Sequence, residues 1–305
     1  MSAPLRVGTR GSELALWQAR HVSALLAHTA TAVAELVIVH TSGDKDRSRS
    51  LHELPGSGFF TKELQRTLLD GGVDLVVHSL KDLPIEEPDG LALAAVLDRA
   101  DVRDLLLALP EATGDGPLGL RPGARLGTSS LRRSAQALAA QPDVRVVPLR
   151  GNVPTRIERL REGRFDAILL ASAGVDRLGI DLEGLVARRL ALDLFLPAPG
   201  QGALAIEIRS DDAATRAAVS RLDDPAVAQA TRCERAVLKG LGGGCHLPLG
   251  THAARNGSGF DLRASWGELD QEVTRATVKR VRVHGGTPEQ AAANALAALR
   301  EGAGA

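Results

Sequence analysis

Short apolar stretches alternate with longer amphipathic stretches over the first two-thirds of the chain. Residues 5–9 predict a strand, and residues 12–28 repeat apolar side chains at helical spacing. The same succession of strand and helix returns several times before residue 200. Chains with this rhythm fold into mostly parallel sheets covered by helices, so the pattern predicts an α/β protein.

The same periodicity predicts the individual elements. The predicted strands are residues 5–9, 34–41, 74–79, 103–108, 124–128, 144–149, 166–172 and 203–208. The predicted helices are residues 12–28, 61–70, 129–140 and 153–162, with Thr61 as the N-cap of the second. Farther along the chain, helices at 212–222, 225–240 and 288–300 accompany strands at 246–253, 260–266 and 273–283. This last segment is predicted to be a small α+β module.

The composition is typical of a soluble globular protein, with 44% hydrophobic and 24% charged residues. A chain of 305 residues is long for one core and favours two or three domains. The apolar runs are too short to cross a bilayer, and the first residues lack the apolar core of an export signal. We therefore expect a cytoplasmic protein. The formal net charge of zero and the few aromatic residues argue against nucleic-acid and membrane partners.

Arginine dominates the basic residues and recurs in three similar turns. Of the 37 basic residues five are lysine, which leaves 32 arginines. The turns, at residues 9–12, 127–133 and 150–156, each join a predicted strand to a predicted helix. Ligands of open α/β sheets bind beyond the carboxyl ends of strands, where helix N-termini offer free N–H groups. One such turn would be ordinary solvated surface, but three predict a pocket for a ligand with several negative groups.

The segment VHSLKDLP, at residues 77–84, places Lys81 and Asp82 directly after another predicted strand. A carboxyl group beside a lysine and near several arginines is ionised at neutral pH. Such a carboxylate can stabilise a cation or exchange protons with a substrate amine. The alternative is a surface turn in which Asp82 only caps the chain.

The two cysteines have different surroundings in the sequence. Cys233 falls inside the predicted helix 225–240 and is expected in the core. Cys245 follows three glycines, whose free backbone can present a thiol for covalent attachment or nucleophilic attack. The alternative for Cys245 is a small buried side chain with an inert thiol. The spacing of Cys and His residues predicts no metal site.

Taken together, these segments resemble the porphobilinogen deaminase (hydroxymethylbilane synthase) family. The matching blocks are TRGSELALWQA, VHSLKDLP, GTSSLRR, LRGNVPTR, LPAPGQGAL and GGGCHLPLG, in the family's order. The resemblance implies two periplasmic-binding-protein-like α/β lobes and a small C-terminal α+β domain. Domain 1 would comprise residues 1–98 and 197–212, domain 2 residues 99–196, and domain 3 residues 213–305.

The resemblance also implies an activity. A dipyrromethane cofactor, built from two porphobilinogen molecules, would be held by a thioether to Cys245. Four more porphobilinogens would be joined to it head to tail with loss of ammonia, and water would release hydroxymethylbilane. The expected partner is thus the small-molecule substrate alone, with no nucleic acid, no membrane and a monomeric enzyme.

The family's functional positions carry over residue by residue. Asp82 would be the catalytic carboxylate, which assists ammonia loss, stabilises the azafulvene cation and handles the pyrrole protons. The residues implied at the cofactor, besides Cys245, are Lys81, Asp44, Thr128, Ser129, Ser130, Arg132, Arg133 and Arg150. The residues implied at the substrate and the growing chain are Arg10, Ser12, Arg156, Arg177 and Gln201. No metal is implied.

The chain departs from the family pattern at residues 55–60, where PGSGFF replaces GGKGLF and Ser57 stands at a lysine position. Two other functions remain open for the same residues. A two-lobed binding protein for a polyanionic small molecule would use the lobes and the arginine turns without catalysis. A thiol-dependent transferase or hydrolase would use Cys245 as a nucleophile, but the sequence places no credible base beside it.

Overall fold

The computed structural model describes residues 3–30, 32–40, 61–244 and 247–301. Asp44, Ser57 and Cys245 lie outside the described residues, so the predictions made for them stay predictions. The chain forms two compact units. Unit 1 contains the described residues up to Ala100 together with Gln201–Gln229, and unit 2 contains Asp101–Gly200 and the described residues from Ala230 onwards. The predicted separation of residues 99–196 from 213–305 stays a prediction.

The strands and helices of the described chain follow the predicted order. The strands are β1 (Leu5–Thr9), β2 (Ala34–Ile38), β3 (Leu75–Ser79), β4 (Leu91–Leu97), β5 (Asp104–Ala108), β6 (Arg125–Gly127), β7 (Arg145–Val147), β8 (Ala167–Ala171), β9 (Val186–Arg189), β10 (Leu204–Arg209), β11 (Leu249–Asn256), β12 (Gly259–Leu269) and β13 (Ala276–Gly285). The helices are α1 (Glu13–Thr29), α2 (Lys62–Leu69), α3 (Leu131–Ala140), α4 (Val153–Arg161), α5 (Ser172–Leu178), α6 (Ala213–Val219), α7 (Pro225–Gly240) and α8 (Pro288–Arg300). The sequence pattern predicts all of these except β4, β9 and α5. Each described helix is too short or too polar to span a lipid bilayer.

Unit 1 is built on a five-stranded sheet in the order β2–β1–β3–β10–β4. β1 pairs in parallel with β2 and β3, whereas β10 runs antiparallel to β3 and β4. The expectation of a mostly parallel sheet is therefore wrong, and the sheet is mixed. The reason is that β10 joins this sheet from a distant part of the chain and runs in the opposite direction.

Unit 2 repeats this arrangement in the order β7–β6–β8–β5–β9. β6 pairs in parallel with β7 and β8, and β5 runs antiparallel to β8 and β9. A second sheet in unit 2, β11–β12–β13, is an antiparallel meander. Its apolar side chains share a core with α7 and α8, in which Phe260, Leu262 and Leu299 are buried. The predicted α/β class with a C-terminal α+β part is confirmed.

Side chains of the N-cap residues, directly before three of the helices, position the turns that the sequence singled out. Ser12 Oγ accepts from the N–H of Ala15 at 3.4 Å. Asn152 Oδ1 accepts from the N–H of Thr155 at 2.9 Å, and Ser130 Oγ accepts in the same way at the start of α3. Thr61 is the N-cap residue of α2, as predicted, but its side chain makes no capping hydrogen bond. Its φ of −111° and ψ of −26° are helical, whereas a capping residue needs an extended backbone.

Candidate active site

The turns after β1 and β3 meet at one edge of the sheet in unit 1. The two strands pair in parallel, with Gly8 opposite Val76, so their carboxyl ends lie side by side. The turn after β1 carries Arg10 and Ser12, and the turn after β3 carries Lys81 and Asp82. Parallel pairing therefore gathers residues that are about 70 positions apart in the sequence.

Asp82 is held outward by the leucines on either side of it. Residues 80–82 form one 3-10 turn directly after β3. Leu80 and Leu83 are buried in an apolar cluster with Ala203, which anchors both ends of the turn. Asp82 is exposed, and among the described residues no side chain or backbone N–H donates to its carboxylate. The carboxylate is thus available to a ligand, and it does not cap the chain as the alternative interpretation supposed.

Arg10, Ser12 and Asp82 line one recess in unit 1. Four polar residues that the sequence did not single out as site residues line the same recess: Gln18, Thr61, His78 and Ser79. Gln18 Nε2 donates to Ser79 Oγ at 2.8 Å and so ties α1 to the end of β3. A cation, a carboxylate and several hydroxyl and amide groups therefore surround a space that is open to solvent.

Lys81 and Gln201 lie together in unit 1 and are not among the residues that line this recess. Lys81 Nζ is 3.5 Å from Gln201 Oε1, and Gln201 is fully buried. Both residues were predicted to bind the cofactor or the substrate, and the structure leaves those roles as predictions.

The turns after β6 and β7 are likewise joined at one edge of the sheet in unit 2. Thr128 donates its N–H to the carbonyl of Val147 at 2.9 Å and continues the parallel ladder. Ser129 Oγ donates to the carbonyl of Leu149 at 3.0 Å and accepts from the N–H of the same residue at 3.0 Å. Ser129 therefore fastens the start of α3 to the residue just before Arg150.

These turns offer several unused donors. Ser130 Oγ takes the N–H of Arg133, which leaves the N–H groups of Leu131 and Arg132 without a partner among the described residues. The guanidinium of Arg150 makes no hydrogen bond or ion pair with any described side chain or carbonyl. Free helix N–H groups and an unpaired guanidinium are what a carboxylate ligand requires.

The two remaining arginines of this set lie after β7 and after β8. Arg156 Nε donates to the carbonyl of Gly151 at 2.7 Å, within its own turn. Arg177 is half-buried in α5, which follows β8. β8 pairs in parallel with β6, so the end of β8 lies at the same edge as the end of β6.

Arg132 and Arg133 form a buried ion triad with Asp104, at the start of β5. Arg132 Nη1 is 2.6 Å from Asp104 Oδ2, and Arg133 Nη2 is 2.7 Å from Asp104 Oδ1. Arg132 also donates to the carbonyl of Leu196 at 2.6 Å, and Arg133 to the carbonyl of Leu169 at 3.1 Å. The arginines are 5% and 7% exposed and the aspartate is fully buried. This triad holds α3 to β5, β8 and the segment around residue 196.

The charge of Asp104 is stabilised by its partners. Burial alone would raise the pKa of this carboxyl, but attraction to Arg132 and Arg133 and their hydrogen bonds outweigh it and hold the pKa well below its usual range. Asp104 was not predicted from the sequence, and both arginines were expected to face the ligand. Most of the guanidinium donors of Arg132 and Arg133 bind protein groups instead. The two arginines therefore have a structural role, and their role at the cofactor stays a prediction.

Of the two cysteines, Cys233 is unsuited to covalent chemistry. It is fully buried in the core shared by α7 and α8, as the sequence predicts. Burial, together with the nearby charges of Glu234 and Glu289, raises the pKa of its thiol to about 12. A protonated, buried thiol is neither a nucleophile nor an attachment point at neutral pH.

Comparison with known proteins decides between the open interpretations. Residues 5–217 match the family description "Porphobilinogen deaminase, dipyromethane cofactor binding domain", and residues 228–300 match "Porphobilinogen deaminase, C-terminal domain". The chain belongs to the porphobilinogen deaminase family. It is 45% identical to the porphobilinogen deaminase of Syntrophomonas wolfei subsp. wolfei over 268 residues, which cover 87% of this chain and 86% of that protein. It is 46% identical to that of Acidithiobacillus ferrooxidans over 265 residues, which cover 86% and 85%.

Solved structures give a more distant likeness. The periplasmic VFT2 domain of Bordetella pertussis BvgS is 13% identical, with a TM-score of 0.45, and the match covers 72% of this chain and 86% of that one. Membership of the porphobilinogen deaminase family confirms the predicted family, the prediction of an enzyme of the transferase class, and the predicted dipyrromethane cofactor.

The described residues fit a porphobilinogen deaminase cofactor with several carboxylates. The free N–H groups at the start of α3, the hydroxyl groups of Ser129 and Ser130, and the unpaired guanidinium of Arg150 form one cluster of donors. Among the described residues no group of His, Cys, Asp and Glu side chains could hold a metal ion. Backbone N–H, hydroxyl and guanidinium donors of this kind suit an organic anion.

The triad generates a stability prediction. Asp104→Asn should lower the free energy of unfolding by about 3–5 kcal/mol, because it leaves two buried guanidinium groups without a counter-charge. Urea denaturation followed by circular dichroism measures the change. Arg132→Leu breaks the same triad, so its effect on cofactor loading would be mixed with an effect on folding.

Asp193→Asn is the matched control. Asp193 pairs with Arg263 at 2.6 Å, but its side chain is 90% exposed, so the loss should be about 0.5 kcal/mol or less. Equal losses in the two variants would show that Asp104 does not stabilise unit 2 through the triad.

Proposed function

We propose that this chain is a hydroxymethylbilane synthase. It joins four porphobilinogen molecules head to tail on a covalent dipyrromethane primer, releases ammonia at each step, and hydrolyses the finished hydroxymethylbilane from the primer. The observation that carries the proposal is the match of residues 5–217 and 228–300 to the two parts of the porphobilinogen deaminase family. The paired turns in each unit supply the groups that such a reaction needs.

Asp82 is the proposed catalytic residue. Porphobilinogen carries an aminomethyl group and two carboxylates, so it brings both signs of charge to a site. The exposed carboxylate of Asp82 can bind the ammonium and then face the positive charge that develops on the substrate as ammonia leaves. The same carboxylate can accept the proton that is lost when the new carbon–carbon bond forms.

Arg10 and Ser12 are proposed to bind the incoming substrate. They line the same recess as Asp82, at the N-terminus of α1. A guanidinium group and the positive end of a helix both favour a carboxylate. The substrate would then be held by its acid groups while its ammonium faces Asp82, an arrangement that also orients it for reaction.

The turns of unit 2 are proposed to hold the cofactor and the growing chain. When bound, the dipyrromethane supplies the free pyrrole carbon to which substrate is joined. The side chains and backbone donors proposed at its carboxylates are those of Thr128, Ser129, Ser130, Arg132, Arg133 and Arg150. The residues proposed at the growing chain are Arg156, Arg177 and Gln201.

The cofactor is proposed to be attached through a thioether to Cys245. The other cysteine, Cys233, is excluded by its burial and raised thiol pKa. Lys81 and Asp44 are proposed to complete the cofactor site. We also infer a monomer in the cytoplasm, on the resemblance alone, and light scattering of the purified protein tests the monomer.

Intact-mass measurement tests the attachment. The purified protein should be heavier than its 305-residue chain by one dipyrromethane, and Cys245→Ser should lose this extra mass. Cys233→Ser is the matched control and should keep it. A parent protein without added mass would instead favour a binding protein for a polyanionic molecule or a simple thiol enzyme.

Asp82→Asn should lower kcat by at least about 100-fold, because the group that balances the developing cation is lost. The variant should keep its fold and its cofactor mass, since the Asp82 carboxylate has no partner among the described residues. Asp89→Asn, at an exposed position between β3 and β4, is the control and should leave turnover unchanged. Turnover of Asp82→Asn within a few-fold of the parent would remove this residue from the mechanism.

Arg150→Leu should reduce cofactor loading or stop chain elongation, because an unpaired guanidinium at the proposed cofactor site is lost. The mass distribution of the protein after incubation with porphobilinogen measures both effects. Arg145→Leu removes an exposed arginine at the other end of β7 and serves as the control. Normal loading and normal elongation in Arg150→Leu would contradict the anion site.

A further inference from the structure

Gln65, His78 and Glu207 form a buried polar cluster in unit 1. They are 6%, 6% and 2% exposed. The three side chains come from separate elements, α2, β3 and β10. Burying polar groups costs free energy that apolar side chains at the same positions would not, so packing alone does not account for this cluster.

Glu207 lies at the centre of the cluster. Gln65 Nε2 donates to both carboxylate oxygens, at 3.0 and 3.2 Å. His78 Nε2 lies 2.8 Å from Glu207 Oε2. The two atoms are in close contact, but without the geometry of a hydrogen bond. Among the described residues no lysine or arginine pairs with Glu207.

A buried carboxylate is stable only with a compensating charge or a proton. Gln65 is neutral, so His78 is the residue in contact with Glu207 that can supply the charge. His78 is also one of the residues that line the recess shared by Arg10 and Asp82. The cluster therefore connects the interior of unit 1 with the proposed substrate site.

We propose that His78 is a further substrate-binding residue, whose imidazolium is held by Glu207 and Gln65 at the wall of the recess and binds a carboxylate of porphobilinogen. This inference rests on the proposed function and adds a second cation to Arg10. It assigns the histidine of the VHSLKD segment a role in affinity and substrate choice rather than in the chemical step. A ligand lacking the carboxylate should gain nothing from His78.

Steady-state kinetics with porphobilinogen test the role of His78. His78→Gln should raise KM roughly tenfold, the size expected for one charge-assisted hydrogen bond. Because the residue is proposed to bind substrate and not to take part in the chemical step, kcat should change by less than about threefold. Glu207→Gln should shift KM in the same direction, because the imidazolium loses its counter-ion.

His21→Gln is the matched control. His21 stacks on Trp17 and lies 3.4 Å from Asp98, outside the recess, so its loss should leave KM unchanged. Thermal unfolding and intact mass must first show that each variant is folded and carries its cofactor. If His78→Gln does not fold, the KM of Glu207→Gln decides.

The outcomes separate this inference from the function on which it rests. A parent protein that makes no hydroxymethylbilane contradicts the proposed function itself. A productive parent whose KM is within twofold of that of His78→Gln overturns the role of His78 alone. A fall in kcat at unchanged KM also overturns it, because the histidine would then act on the chemical step or on the fold.

Discussion

Parallel pairing of neighbouring strands is the constraint on which the rest of this structure depends. β1 with β3, and β6 with β7, run in the same direction, so the turns at their carboxyl ends lie next to each other. Those turns carry most of the residues that are proposed to bind substrate and cofactor. The turns themselves come from distant parts of the sequence. Without that alignment, Arg10 and Asp82 would not line the same recess.

The arginines of this chain serve two different purposes, and their surroundings decide which. Arg132 and Arg133 meet a fully buried carboxylate, Asp104, and use most of their donors inside the protein. Arg150, in the turn that follows β7, has no such counter-ion among the described residues. A buried guanidinium needs a fixed partner to be stable, whereas an unpaired one near the surface is free to bind a ligand.

Periodicity predicted the α/β class, and most strands and helices, because buried and exposed positions alternate clearly in this chain. It missed β9, whose sequence VARR is exposed throughout, and it could not show that β10 pairs antiparallel with β3. Strand direction is set by long-range pairing, which local pattern does not contain.

Site residues could be predicted from the sequence where they directly follow a strand. They were harder to predict where a side chain acts through a contact with another strand or helix. Asp82 and the three arginine turns stand out in the sequence. Asp104 does not, since a lone aspartate at the start of an apolar strand is an ordinary feature. Glu207 left a signal, as an acid inside the apolar strand LAIEIR, but its contact with His78 depends on the sheet register.

The inert state of Cys233 has a practical consequence for handling this protein. With that thiol buried and protonated, a small alkylating reagent applied to the native protein has only the sulfur of Cys245 to modify. Under the proposed attachment, this sulfur is already consumed in every mature molecule. Alkylation under native conditions would then count the molecules that have yet to acquire their primer, and would give the proportion of apoenzyme in any preparation.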